Sequence, residues 1–185
     1  MDFGNLDYLN PLFFLKNVRP RYFKSRFSLS TLSDIDLSIL ESAGVRAFIF
    51  DVDNTICWHH GTEVDARIRE KFNAITGKYP SCLLSNARSA RASEIKNLFG
   101  VPVVVSSFRK PKVEAFAEAL AFLGAKSSET AVVGDRIMTD VVGANKAGCV
   151  SVKVRPLEPS SEPLPLRLSR AFENTLLFLY RILLI

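Results

Sequence analysis

Asp51 and Asp53 stand one residue apart at the end of a run of β-formers, Arg46-Ala-Phe-Ile-Phe-Asp51-Val-Asp53-Asn54-Thr55. Two close carboxylates repel, and a divalent cation with oxygen ligands, helped by a nearby lysine, is the simplest way to hold them. Three later stretches carry groups that suit such a site. Leu84-Ser85-Asn86 offers a hydroxyl and main-chain amides able to hold phosphate oxygens at a helix start. Arg109-Lys110-Pro111 offers an ammonium directly before a proline that can open a helix. Gly134-Asp135-Arg136-Ile137-Met138-Thr139-Asp140 supplies two more carboxylates. Taken singly, each has an ordinary explanation: an Asx turn at Asp53 and Asn54, an N-cap at Ser85, surface turns at the Lys-Pro and Gly-Asp pairs. Their order, and their common placement at the carboxyl ends of predicted strands, is what points to chemistry.

The elements that must position these groups alternate along the chain. Ser33 to Ala43 reads as an amphipathic helix closed by Gly44, and Arg46 to Asp51 as the first core strand. Glu63 to Thr76 reads as a helix, Cys82 to Ser85 as a strand, and Ser89 to Phe99 as a helix closed by Gly100. Val103 to Val105 is a third strand, Val113 to Leu123 a helix, and Thr130 to Val133 a fourth strand. Asp140 to Ala147 reads as a helix and Val150 to Val154 as the fifth strand. Repeated βα units with short connections imply a Rossmann-like three-layer α/β/α sandwich around a central parallel sheet.

Four stretches follow. Residues 1–30 form a basic and apolar N-terminal segment, 31–155 the catalytic domain, 156–165 a linker rich in Pro and Ser, and 166–185 an amphipathic helix. In that helix Leu168, Phe172, Leu176, Leu179 and Leu183 recur at helical spacing, with Arg167, Arg170, Asn174 and Arg181 mostly elsewhere on the wheel. It is too short and too charged to span a bilayer comfortably, which leaves docking on its own core or lying on anionic lipid.

A chain of 185 residues, 48% hydrophobic, has room for one domain with a substantial core. A formal charge of +5 and a pI near 9.2 favour an anionic partner: phosphate, nucleic acid or an acidic membrane surface. Cys57, Cys82 and Cys149 show no CxxC spacing, which fits a reducing compartment better than a disulfide framework. Asp2 and Asp7 weigh against a mitochondrial or plastid presequence, so the expected location is cytoplasmic, with peripheral contact on the inner face of a membrane.

The ordered set DVDNT, LLSN, RKP and GDRIMTD resembles motifs one to four of the haloacid dehalogenase superfamily of phosphohydrolases, over roughly Arg46 to Val154. The resemblance implies Asp51 as nucleophile, Asp53 as general acid and base, and Lys110 as the catalytic cation. It implies Ser85, with Asn86, as the substrate phosphate site. It implies Mg²⁺ held by the Asp51 carboxylate, the Asp53 main-chain carbonyl and Asp135, with Thr55 and Asp140 as supporting groups nearby. An acid at position 53 favours a phosphatase over a phosphotransferase.

Only 31 residues separate Asp53 from Ser85 and 24 separate Ser85 from Lys110, space for one helix and one strand each. No cap domain fits there. The chain therefore resembles the capless subfamily IIIA, and within it the phosphatidylglycerophosphate phosphatase branch. That resemblance implies an anionic phospholipid substrate met at a membrane surface, through the N-terminal basic segment and the C-terminal helix. Two alternatives stand beside it: a phosphatase of a protein, nucleic-acid end or small phosphometabolite, and a non-catalytic binding module on ribonucleoprotein. The intact set Asp51, Asp53, Ser85, Lys110 and Asp135 argues against the module, and no specific nucleic-acid partner is expected. Trp58, His59 and His60 are expected to border the open site rather than to bind zinc, and Arg88, Arg91 and Arg109 are candidate anion contacts.

Overall fold

The computed structural model describes residues 19–58, 61–86 and 89–183. Expectations for residues 1–18, His59, His60 and Arg88, and for the side chains of Arg91, Leu176, Leu179, Arg181 and Leu183, lie outside the described residues. Six parallel strands form one sheet: β1 (Phe27–Ser28), β2 (Ala47–Phe50), β3 (Ser81–Leu84), β4 (Val103–Val104), β5 (Thr130–Gly134) and β6 (Val150–Lys153). Their order across the sheet is β1-β6-β5-β2-β3-β4. Among the described residues, six α-helices accompany them: α1 (Leu37–Ser42), α2 (Ala66–Thr76), α3 (Ser89–Phe99), α4 (Val113–Leu123), α5 (Val142–Ala147) and α6 (Leu164–Leu183).

The three-layer reading holds, and alternation along the strands explains it. Phe48, Phe50, Leu83, Ala131 and Val133 point to one face, where they meet Ile68 and Phe72 of α2 and Ile95 and Phe99 of α3. Ile49, Cys82, Leu84 and Val132 point to the other, against Phe116 and Ala119 of α4 and Ala144 of α5. The central strand is braced most heavily: the Phe50 ring lies edge-on to Phe72 at 5.1 Å between centroids, and Phe72 edge-on to Phe99 at 5.4 Å.

Several boundaries moved from those expected. The predicted helix from Ser33 is split into a 3₁₀ turn, Leu32–Asp34, and α1, because the Asp36 side chain accepts from Ser38 N at 2.9 Å and so caps a new start. Asp65 does the same for α2 by accepting from Arg67 N and Ile68 N, so that helix begins after Asp65 rather than at Glu63. A sixth strand, Phe27–Ser28, joins the sheet from within the stretch read as an N-terminal segment. Its flanks are fixed by Arg26 N to Ser151 O at 3.1 Å and Leu29 N to Lys153 O at 2.8 Å. The predicted helix from Asp140 opens instead with a π-helical turn, Ile137–Val141, ahead of α5. Such turns gather at functional sites, because one extra residue per turn redirects side chains.

The chain leaves β2 for β3 and β4 on one side, then crosses to β5 and β6 on the other. The sheet therefore has its topological switch point between β2 and β5, and open α/β sheets bind ligands at the carboxyl end of such a crevice. Asp51 follows β2 and Asp135 follows β5.

Candidate active site

The strand bearing Asp51 keeps its ladder for one more residue, since Asp51 N donates to Val133 O at 2.8 Å. The chain then doubles back: the amides of Ile56 and Cys57 both reach Val52 O, and Asn54 N reaches Cys57 O at 2.7 Å. Asn54 takes the left-handed conformation at φ 62°, which asparagine tolerates better than most residues. The turn buries Val52, Ile56 and Cys57, and leaves Asp51 and Asp53 lining one cavity of about 210 Å³. Ser85, Asn86, Lys110, Asp135 and Asp140 line the same cavity, so the four strand-end and loop segments singled out in the sequence meet there.

Lys110 Nζ lies 2.5 Å from Asp51 Oδ1 and 2.7 Å from Asp140 Oδ1, with the ammonium buried between them. Thr55 Oγ1 donates toward Asp51 Oδ2 at 3.2 Å and stands 3.4 Å from Asp135 Oδ1. One oxygen from each of Asp51, Asp135 and Asp140 lies within 4.8 Å of the others. Burial pushes the Asp51 carboxyl up to about 8; Lys110 opposes that rise, while Asp140 and Asp135 add to it. Burial likewise pushes Asp135 up to about 6 against the pull of Arg170. The Lys110 ammonium is disfavoured by burial, but the Asp140 and Asp51 carboxylates outweigh this and hold it above its ordinary range. Three carboxylates thus share a small buried space with an excess of negative charge.

Two glycine and asparagine positions explain the close approach. A Cβ on Gly134 would stand 2.4 Å from Asp140 Cγ, so only glycine lets Asp140 fold back over the end of β5. Asn86, expected at the phosphate, spends its side chain on the lysine loop: it accepts from Lys110 N at 2.8 Å and donates to Lys110 O at 3.2 Å. Arg109 donates to Asn86 O at 3.2 Å and lines the cavity.

A model of the family described as mitochondrial PGP phosphatase matches residues 12–156. The chain belongs to this family. Phosphatidylglycerophosphate phosphatase 1, chloroplastic, of Chlamydomonas reinhardtii is 29% identical over 152 residues, 76% of this chain and 55% of that protein. Phosphatidylglycerophosphatase GEP4, mitochondrial, of Saccharomyces cerevisiae is 27% identical over 172 residues, 84% of this chain and 90% of that protein. The chain spans about half the length of the algal relative. Among solved structures, an uncharacterized protein of Listeria monocytogenes serotype 4b shares the fold, with a TM-score of 0.52 at 16% identity, covering 74% of this chain and 99% of that one. The resemblance read from the four motifs and the match to the PGP phosphatase family therefore agree.

Beyond residue 156, where the family match ends, the structure adds groups that sequence reasoning did not find. The stretch read as a linker is bonded to the Asp51 loop: Leu157 N donates to Asn54 O at 3.1 Å, Glu158 N to Asn54 Oδ1 at 3.0 Å, and Asn54 Nδ2 to Glu162 Oε1 at 2.8 Å. From α6, Arg170 pairs with both Asp135 and Glu162, and Glu173 pairs with Arg136. Glu162, Leu166 and Arg170 line the cavity beside Arg136 and Thr139. The expected apolar face of this helix is accordingly rotated. Glu173 is 3% exposed and Phe172 packs on Met138 and Val142, whereas Leu168 is 61% exposed, as are Leu164 and Phe178 to a similar degree. The reason is that Arg136 and the Ile137 amide offer a carboxylate three donors, which repays the burial of Glu173. Trp58 does not border this cavity; it lines a neighbouring hollow with Asp34, Glu63 and Leu157.

Proposed function

We propose that this chain is a phosphomonoesterase that removes the terminal phosphate of phosphatidylglycerophosphate through an aspartyl phosphate on Asp51. The observation that carries the reading is the Lys110 ammonium set between Asp51 and Asp140, with the Asp135 carboxylate alongside, at the switch point of the sheet. The donor set fits Mg²⁺: its three carboxylates are hard oxygen ligands, close enough to share one ion and in need of positive charge. Asp51, Asp135 and the Asp53 main-chain carbonyl would hold the metal with Asp140 beside them, and when bound it supplies the charge that lets one anion approach another.

The chain's own groups then have these roles. The Asp51 carboxylate attacks phosphorus, forming a carboxyl O–P bond as the bond to the leaving oxygen breaks. Asp53 gives that oxygen its proton. Water attacks the same phosphorus, Asp53 takes its proton, and the acyl phosphate breaks to inorganic phosphate and free Asp51. Lys110 offsets charge on Asp51 and the transferring group, while Asn86 fixes the Lys110 backbone. Ser85 and nearby main-chain amides hold the phosphoryl oxygens.

Family membership and the substrate in the names of the algal and yeast relatives support the lipid. The pI near 9.2 and the outward Leu164, Leu168 and Phe178 on α6 support contact with an anionic bilayer surface. No helix among the described residues is long and apolar enough to cross a membrane. The organellar names of those relatives also make mitochondria and plastids the compartments to examine first by fractionation. Phosphate release from phosphatidylglycerophosphate vesicles is the direct test: wild type should turn over in Mg²⁺, and both EDTA and Asp51→Asn should abolish it. Wild-type turnover by Asp51→Asn would refute the nucleophile, and equal rates on soluble phosphomonoesters would refute the lipid.

A further inference from the structure

Ser169, Arg170 and Glu173 occupy one side of α6 within a single turn, and all three meet the loop that follows β5. We propose that α6 clamps the cation-binding loop, with Glu173 as a positioning residue that acts through Arg136 on Asp135 and Asp140. The proposal rests on reading Asp51, Asp135 and Asp140 as a cation site.

The geometry is that of a two-ended pin. Glu173 Oε1 accepts from Arg136 Nε at 3.1 Å and from a second guanidinium nitrogen at 2.6 Å, and Oε2 accepts from Ile137 N at 3.1 Å. A guanidinium fork on one carboxylate oxygen and a main-chain amide on the other leave the loop little freedom to rotate. Ser169 Oγ takes a further Arg136 hydrogen at 2.6 Å. Arg136 is the residue through which both acids are set. It directly follows Asp135, and its own amide donates to Asp140 Oδ2 at 3.0 Å. Its carbonyl accepts from the amides of Asp140 and Val141, so it also starts the π-helical turn that carries Asp140. Arg170, one turn before Glu173, holds the Asp135 carboxylate itself and is held in turn by Glu162. The first amides of a helical turn have no partner within the turn, and a buried carboxylate that satisfies one fixes where the turn begins. Among the described residues, α6 packs its side chains onto this loop from outside the sheet.

Groups that orient metal ligands typically cost 10- to 100-fold in metal affinity when removed. The test uses Mn²⁺ alone as probe, its bound fraction read from the electron paramagnetic resonance of the free ion, on the full chain with no substrate. Glu173→Gln and Arg136→Lys should each raise the Mn²⁺ Kd by about 10- to 100-fold while the thermal melt stays cooperative. A lowered melt with unchanged Kd in either folded variant would overturn the proposal, because a helix that is merely docked moves stability alone. Should Glu173→Gln fail to fold, Arg136→Lys decides on the same terms, since it keeps the charge and loses only the fork. No Mn²⁺ binding by wild type would sink the cation site itself, whereas normal wild-type binding with unaffected variants would sink only the clamp.

Discussion

Lys110→Met removes an ammonium that separates two buried carboxylates while keeping most of the side chain's volume. The side chains of Lys110 and Asp140 are 4% and 2% exposed, and that of Asp51 13%, so water cannot replace the lost charge at Asp140 and does so only in part at Asp51. Breaking a buried pair by deleting one partner costs about 3–5 kcal/mol, because the other charge is left uncompensated. Here the lower end applies: Asp51 is partly exposed, and burial favours its protonated form more strongly once Lys110 no longer opposes that rise. With a urea dependence of about 2 kcal/mol per molar, a loss of about 3 kcal/mol lowers the midpoint by about 1.5 M. The assay is urea denaturation of wild type and variant, followed by circular dichroism, in EDTA and in excess Mg²⁺. The variant should gain more from Mg²⁺ than wild type does, since without Lys110 its carboxylates carry one more uncompensated charge. Adding Asp51→Asn to Lys110→Met should recover part of the loss, giving a coupling above about 1 kcal/mol. A Lys110→Met midpoint equal to wild type in EDTA would show that this ammonium compensates no buried charge.

Five further outcomes follow from the same structure. Gly134→Ala places a Cβ on Asp140 and should cost about 1–3 kcal/mol with loss of phosphate release. Gly143→Ala collides with the Phe116 ring and should cost as much stability but leave turnover by the folded fraction intact. Asn54→Gly keeps the left-handed backbone yet loses both side-chain bonds to 158–162, so trypsin should cut after Lys153 and Arg167 faster than in wild type; equal cleavage rates would count against that tether. Cys57, Cys82 and Cys149 are buried, and burial pushes the Cys82 and Cys149 thiols up to about 12, which leaves little thiolate at pH 8. Ellman's reagent should accordingly react with native protein only after denaturant is added. Asp53→Asn should accept the phosphoryl group slowly and release it more slowly still, which rapid-quench measurement of the acyl phosphate would read.

What the sequence determined by itself is local or periodic. Strands ending in Asp51, Ser85 and Gly134, with glycine-closed helices between them, announce a parallel sheet whose carboxyl edge carries the chemistry. The short intervals after Asp53 and Ser85 leave room for one helix and one strand each, because chain length is additive and needs no knowledge of contacts. The misplaced helix starts at Ser33 and Glu63 are of the same kind, since Asp36 and Asp65 are capping residues that a closer local reading could have weighed.

Tertiary structure alone decided the rest. Arg136 meets Glu173 across 37 residues and Asn54 meets Glu162 across 108, separations at which no spacing rule operates. The pattern of α6 pointed the other way, because hydrophobic periodicity assumes that charged residues face water. Glu173 and Arg170 break that assumption only because the loop after β5 offers a guanidinium, a main-chain amide and a carboxylate at the place where the helix lands. Buried charge is stable where its partners are already fixed, and the folded chain alone brings those partners together.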